Sequence, residues 1–296
     1  MKLLVDGGNT RLKWRMVARD AHLEGSLAWD QFEPQVLLDD WQQALVDLGS
    51  PTQNPKGMMC SVASATQTAR AWAAMQAFCS VSGAHQLEVL PMARLQIDGM
   101  EWRLTTDYAQ IAQLGRDRWA AALGFVAHVG TDAQAAQLRG RAAFSCALVS
   151  AGTATVVDRI SAQWDGTAWH CVLSHGQILP GLHCSAQGLA QAAPALSPAL
   201  QQALSDLENA PREGSTRRSV SEGLMASQLG PLLWLERCSA VDMVWVHGGN
   251  AQWWLAALNQ SPWSGQWPSV QAPLIFVGLE AAMRLEFSGS AESSSG

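Results

Sequence analysis

The apolar run Leu3-Leu4-Val5 ahead of Asp6, and the alternation of Leu12, Trp14 and Met16 with Lys13 and Arg15, predict a buried strand and a half-exposed strand. Between them stand Gly7, Gly8 and Asn9, residue types that tolerate the positive φ of a tight hairpin. A third strand candidate follows, and Val36, Leu37, Trp41, Leu45 and Leu48 then recur at helical spacing across 34–48. A loop over 49–57 leads to a short buried strand at 58–63, a helix over 68–78, and another strand over 86–90 bounded by Pro91. Strand, strand, strand, helix, strand, helix, strand is the order of an α/β unit that opens with a meander.

The opening pattern returns later in the chain. Phe144 to Ser150 is again a buried strand, Ala151-Gly152-Thr153 a turn, and Ala154 to Asp158 a second apolar strand. A third instance, Met243 to His247 followed by Gly248-Gly249-Asn250, ends a buried strand in two glycines ahead of a helix beginning near Gln252. Each alone reads as a tight turn; together they point to loops converging on one phosphate-rich ligand. No GxxxxGK[ST] P-loop and no GxGxxG after a strand is present, so the repeated hairpin has to carry any nucleotide. At the first hairpin, Asp6 is followed by backbone N–H groups, Thr10 and Lys13, which places a metal-organising carboxylate beside phosphate donors. On local grounds the same stretch is also an ordinary hairpin with a solvated Asp.

Composition narrows the classes. With 296 residues, 48% hydrophobic and 15% charged, the chain has material for one large domain or two smaller ones and is not of disordered type. A net charge of -6 supplies no broad basic footprint, which argues against nucleic-acid binding; Arg212, Arg217 and Arg218 are the nearest thing to a patch. The uncharged stretch 166–205 is interrupted throughout by Gly, Pro, Gln and Ser and does not read as a membrane span. The start of the chain carries no export signal, and the 6 cysteines form no CxxC pair, so free thiols in a cytoplasmic protein are expected. His170, Cys171, His175, His183 and Cys184 cluster loosely in sequence, without zinc-type spacing.

The segment from Tyr108 to Gly124 carries the most chemistry. Asp117 and Arg118 follow Gly115 and open an alanine-rich helix, where a carboxylate is favoured by the helix dipole alone. The functional reading is that Asp117 accepts a proton from an attacking hydroxyl while Arg118 binds an anionic group. Tyr108 is the chain's 1 tyrosine beside 14 tryptophans, so a phenol here is not a habit of composition.

Asp6 to Thr10 with Lys13, Tyr108, the run Gly115-Arg116-Asp117-Arg118-Trp119-Ala120-Ala121, and Gly152 to Thr155 with Asp158 together resemble the type III pantothenate kinase family, which includes the Bvg accessory factors. The likeness continues, in order, through Gly176 to Gly181, Ser215-Thr216 with Gly223, Gly248-Gly249-Asn250, and 273–279. The resemblance implies an α/β fold of two ribonuclease H-like domains with an interdomain cleft, as in the acetate and sugar kinase, Hsp70 and actin superfamily. The domains are expected over 1–114 and 115–287, with a disordered tail at 288–296.

The implied reaction is ATP-dependent phosphorylation of the primary hydroxyl of pantothenate, the first step toward coenzyme A. In that reading Asp117 is the general base and Asp6 organises magnesium. Gly7, Gly8, Asn9, Thr10 and Lys13 hold the phosphates; Gly152, Thr153, Gly248, Gly249 and Asn250 contact the nucleotide. Tyr108, Gly115, Arg116, Arg118 and Thr216 line the pantothenate site, Thr216 reaching across a homodimer interface. Ser150 stands where the family carries an Asp associated with a monovalent cation, and the lost charge argues against carrying that potassium or ammonium site over. Ile111 replaces a proline of the family, Gly7 an apolar residue, and Arg217 and Arg218 acidic ones. Other readings are a regulatory protein that retains the kinase scaffold, and a kinase of the same superfamily for another hydroxy acid.

Overall fold

The computed structural model describes all residues except 20, 51–53, 133–134, 206–213, 239 and 293–296, and all of their side chains except those of 175 and 286–292. Two compact units are formed, one by Met1–Ala136 with Leu274–Gly296, the other by Gln137–Pro273.

The first unit opens with the expected meander, β1 (Lys2–Gly7), β2 (Arg11–Ala18) and β3 (Ala21–Ala28). Helix α1 (Pro34–Asp47), strand β4 (Lys56–Ser61), helix α2 (Ala65–Cys79) and strand β5 (Ala84–Gln86) follow. The sheet order is β3-β2-β1-β4-β5. β1 lies at its centre, antiparallel to β2 and parallel to β4, which is why Leu3, Leu4 and Val5 are all buried irrespective of face. β2 keeps its alternation, with Leu12, Trp14 and Met16 inside and Lys13 and Arg15 half-buried. α1 starts with Pro34 in its first turn, and α2 with a capping box in which Ser64 and Gln67 serve each other's backbone N–H. β5 (Ala84–Gln86) starts two residues before the expected 86–90 and ends four residues sooner. A hairpin not anticipated from the pattern, β6 (Ala93–Ile97) and β7 (Met100–Thr106), turns at Asp98-Gly99, both with positive φ.

Helix α3 (Arg116–Thr131) is buried almost all round from Arg118 to Val126. Its alanine-rich face receives the last helix of the chain. A Cβ on Gly124 would run into the backbone of Leu274, and one on Gly278 into that of Ala120, so the two helices touch backbone to backbone. That contact explains why the first unit extends through α3 to Ala136, where a boundary at 114/115 was expected. A short helix, α4 (Ala136–Arg139), comes next.

The second unit repeats the plan. β8 (Ala143–Ala151), β9 (Ala154–Trp164) and β10 (Ala168–Pro180) form an antiparallel meander. Helices α5 (Leu182–Ala192), α6 (Ser197–Ser205) and α7 (Thr216–Cys238) lead to β11 (Met243–His247), α8 (Ala251–Gln260) and β12 (Ser269–Gln271). β11 pairs parallel with β8 and β12 parallel with β11, so the run β10-β9-β8-β11-β12 has the order and polarity of β3-β2-β1-β4-β5. The duplicated ribonuclease H-like arrangement is present in both units. The closing helix, α9 (Leu274–Glu292), continues into the stretch 288–296 expected as a disordered tail; residues 293–296 lie outside the described residues.

Candidate active site

In the first unit, Asp6 is next to last in β1 and pairs in register with Lys13 of β2 and Cys60 of β4. Its side chain is buried, at 7% exposure, and its carboxyl is pushed up to about 6. Burial is the main cause; the Lys13 ammonium draws the value down and the Asp117 carboxylate raises it. The side-chain donor facing it is Cys60, whose Sγ lies 3.8 Å from Asp6 Oδ1. Asp6 is thus a buried carboxylate between strands, not a solvated one.

Gly7 is needed for space. A Cβ there would stand 2.6 Å from Ser61 Oγ, because β4 runs directly alongside. Val62 N and Ser61 Oγ donate to Gly7 O at 2.9 and 3.3 Å. The positive φ expected around Gly7, Gly8 and Asn9 is not used: none of the three has positive φ, and at Gly7 it is close strand packing, not turn handedness, that calls for glycine. The turn closes through Gly8 N donating to Arg11 O at 3.0 Å, and Trp29 braces it, its Nε1 donating to Gly8 O at 2.7 Å and its backbone N to Thr10 O at 3.2 Å. Asn9 and Thr10 are exposed at the tip, and Lys13 is half-buried.

Also in the first unit, Gly115 precedes α3, and Asp117 sits in its first turn, half-buried, accepting from Arg118 N at 2.8 Å through Oδ1. Asp117 is close enough to Asp6 for its charge to raise the Asp6 carboxyl. Arg118 is 6% exposed; its Nη1 donates to Tyr108 Oη at 2.6 Å, with the guanidinium carbon 5.2 Å from the ring centroid. This pair fixes a planar cation beside Asp117. Arg116 turns to Gln86, with Nη1 3.1 Å from Oε1.

The second unit brings its glycine turns together. Ala151 O accepts from Asn250 N at 2.9 Å, Gly152 O from Asn250 Nδ2 at 3.2 Å, and Thr153 O from Gly181 N at 2.9 Å. Gly248 has φ +102, and a Cβ there would stand 2.5 Å from Ala151 O. Thr153, Gly248 and Gly249 keep an exposed edge. Ser150 is half-buried and pairs in register with buried His247. Thr216 is exposed at the start of α7 and shares a groove of about 460 Å³ with Leu189, Leu196, Ser219, Val220 and Leu224.

Sequence reasoning missed Cys60, Ser61 and Trp29, which support the first turn from neighbouring strands and loops, and it quoted Gly181 only within the matched run 176–181, without a role. The only available signal was that 58–63 reads as a buried strand able to lie beside β1. The loose His/Cys cluster forms no metal site among the described residues: His170 Nε2 lies 2.6 Å from Asp165 Oδ2, and Cys171 is buried. The His175 side chain and Arg212 lie outside the described residues.

The type III pantothenate kinase family profile matches residues 2–232. A type III pantothenate kinase of Azoarcus sp. (strain BH72) is 31% identical over 233 residues, covering 78% of this chain and 72% of that protein. One of Herminiimonas arsenicoxydans is 29% identical over 251 residues, with 78% of each covered. Among solved structures, the activator of the 2-hydroxyisocaproyl-CoA dehydratase from Clostridium difficile with bound ADPNP superposes with a TM-score of 0.50 at 12% identity, over 99% of this chain and 96% of that one. That likeness concerns the fold alone. Since the profile runs from the first residue of β1 well into α7, through the hairpins of both units, the chain belongs to the type III pantothenate kinase family.

Proposed function

We propose that the chain transfers the γ-phosphoryl group of ATP to the primary hydroxyl of pantothenate, giving 4′-phosphopantothenate for coenzyme A synthesis. The observation that carries the reading is the pair of carboxylates in the first unit: Asp6, buried at the end of β1, and Asp117, half-buried at the start of α3 and within its electrostatic reach. Phosphoryl transfer asks for positioning and charge stabilisation more than for a strong base, and such a pair divides those tasks. Asp117 receives the hydroxyl proton. Arg118, held by Tyr108, offers planar N–H donors to the pantothenate carboxylate, with Gly115 and Arg116 at the same edge.

The donor set at Asp6 fits a divalent cation. A buried carboxylate raised to about 6, whose burial and the Asp117 charge outweigh the pull of the Lys13 ammonium and the Cys60 thiol, has room for further positive charge to hold it ionised. Magnesium is commonly held by one or two carboxylates, with water and substrate phosphates completing the shell, so a larger protein cluster is not required. When bound, the ion neutralises charge on the β- and γ-phosphates. Gly7, Gly8, Asn9, Thr10 and Lys13 then hold those phosphates, while Gly152, Thr153, Gly248, Gly249 and Asn250 face the nucleotide. Ser150 offers no charge for a monovalent cation. Exposed Thr216 is read as a substrate contact supplied across a homodimer. No described helix is long and apolar enough to cross a membrane, and a cytoplasmic location belongs to the same reading.

Purified protein with Mg·ATP and pantothenate is expected to yield 4′-phosphopantothenate by mass spectrometry, and Asp117→Asn to bind nucleotide without turnover. No product across divalent and monovalent cations, or full activity in the Asn variant, would refute the assignment. Product from a different hydroxy acid in a parallel panel would redirect it within the superfamily.

A further inference from the structure

Behind Asp6, on the side of β4, lies a support that the family resemblance does not account for. In the parallel β1–β4 pair, Asp6 stands opposite Cys60 and Gly7 opposite Ser61. Side chains in register on neighbouring strands leave the sheet on the same face, so Cys60 meets the Asp6 carboxylate directly. The thiol is fully buried and reaches Oδ1 at 3.8 Å. Ser61, one residue on, donates to Gly7 O at 3.3 Å and lies 2.7 Å from Thr68 Oγ1 of α2. The end of β4 therefore holds both the carboxylate and the backbone that follows it.

We propose that Cys60 is a positioning residue for metal binding: its S–H occupies Oδ1 of Asp6 and leaves the other carboxylate oxygen set toward the divalent cation. This rests on the reading of Asp6 as the metal-organising carboxylate. The choice of a thiol has a physical rationale. Cys60 is fully buried with its Sγ against Asp6 Oδ1, which places the S–H as a donor to that oxygen. An S–H is a weak donor, able to orient a carboxylate without neutralising the charge a cation needs. Partners that orient a metal ligand in this way are commonly worth about tenfold or more in metal affinity.

The test separates orientation from packing. Cys60→Ser keeps a donor, whereas Cys60→Val fills similar space without one. ADP binding to the full chain is measured by calorimetry with magnesium and again in EDTA, with pantothenate turnover followed separately. Expected is a loss of about tenfold in the magnesium-dependent part of binding for C60V, unchanged ADP binding in EDTA, and C60S close to wild type. Wild-type affinity in C60V, an equal loss with and without magnesium, a C60S as weak as C60V, or a C60V that fails to fold while C60S folds would each overturn the role. A chain that shows the expected pattern but does not phosphorylate pantothenate would sink the substrate assignment and leave Cys60 in place. A wild-type chain with no magnesium-dependent ADP binding overturns the metal role of Asp6 and this inference with it.

Discussion

The two hairpins share a strand plan and differ in what surrounds their turns. Between β1 and β2 the tip is open: Asn9 and Thr10 are exposed, and support comes from beneath, from Trp29, Cys60 and Ser61. Between β8 and β9 the turn is bound sideways, its carbonyls taken up by Gly181 and Asn250. The first hairpin keeps a buried carboxylate at its strand end, and the second has Ser150 there, opposite His247. A duplicated scaffold has thus diverged into a charged turn that holds a carboxylate under electrostatic load and a neutral turn whose loops lock one another. Chemistry is expected to concentrate at the first, and stability to depend on the second.

The largest expected effect falls on the carboxylate that loads Asp6. Asp117→Asn should lower kcat by about 10²–10⁴-fold while ADP affinity stays near wild type; comparable losses in both would make Asp117 a structural residue.

Next comes the locked turn. Gly248→Ala forces a Cβ against Ala151 O at a φ of +102 and should cost about 3 kcal/mol by denaturant unfolding. A change within about 0.5 kcal/mol would mean that the loops of the second unit are loosely joined.

At the first hairpin the sign of a pH effect is informative. The Asp6 carboxyl is raised from 3.8 to about 6 on folding, so between those values the folded chain keeps a proton that the unfolded chain has released. Stability of the metal-free protein therefore falls as pH rises through that window. Asp6→Asn removes the loss and should be more stable than wild type by about 2–3 kcal/mol at pH 8, with no difference below about pH 4. Equal stabilities at both pH values would contradict the buried charge; added magnesium-nucleotide should narrow the gap.

The glycines ahead of the two turns sharpen the contrast. Gly7→Ala meets Ser61 Oγ at 2.6 Å, and Gly152→Ala meets only Ala154 O, at an ordinary 3.5 Å. The first should cost about 1–3 kcal/mol and weaken nucleotide binding, the second less than about 0.5 kcal/mol of stability; the reverse order in thermal unfolding would invalidate the packing argument. The smallest effect concerns Ser150: exchanging potassium for sodium should change turnover by less than about twofold, a large activation by potassium being the contrary result.

Much of this was legible in the chain itself. Period-two and period-3.6 patterns located β1, β2, α1, β4 and α2, because each element buries one face or lies wholly inside. The recurrence of a strand ending in glycine marked Gly152 and Gly248 as kin to the first hairpin. Less could be read where uncharged, turn-rich sequence hides structure. β10, α5 and α6 fall in the stretch without charges, and α7 runs straight through Pro231, which local propensity would take as a stop.

The amino-acid order alone marked β1 and β4 as buried strands, the turns between strands as polar, and Asp6, Asp117 and Arg118 as candidates for chemistry, since those readings depend on neighbours a few positions away. It could not say why Gly7 is glycine, that Cys60 faces Asp6, that Asn250 grips Gly152, or that α9 returns to lie on α3. These follow from pairing between strands and helices far apart in the chain. Burial of Asp6 is the clearest case. Next to a glycine turn it could as well have been solvated, and it is the parallel approach of β4 that helps take it out of water, while the start of α3 brings the Asp117 charge to bear on it.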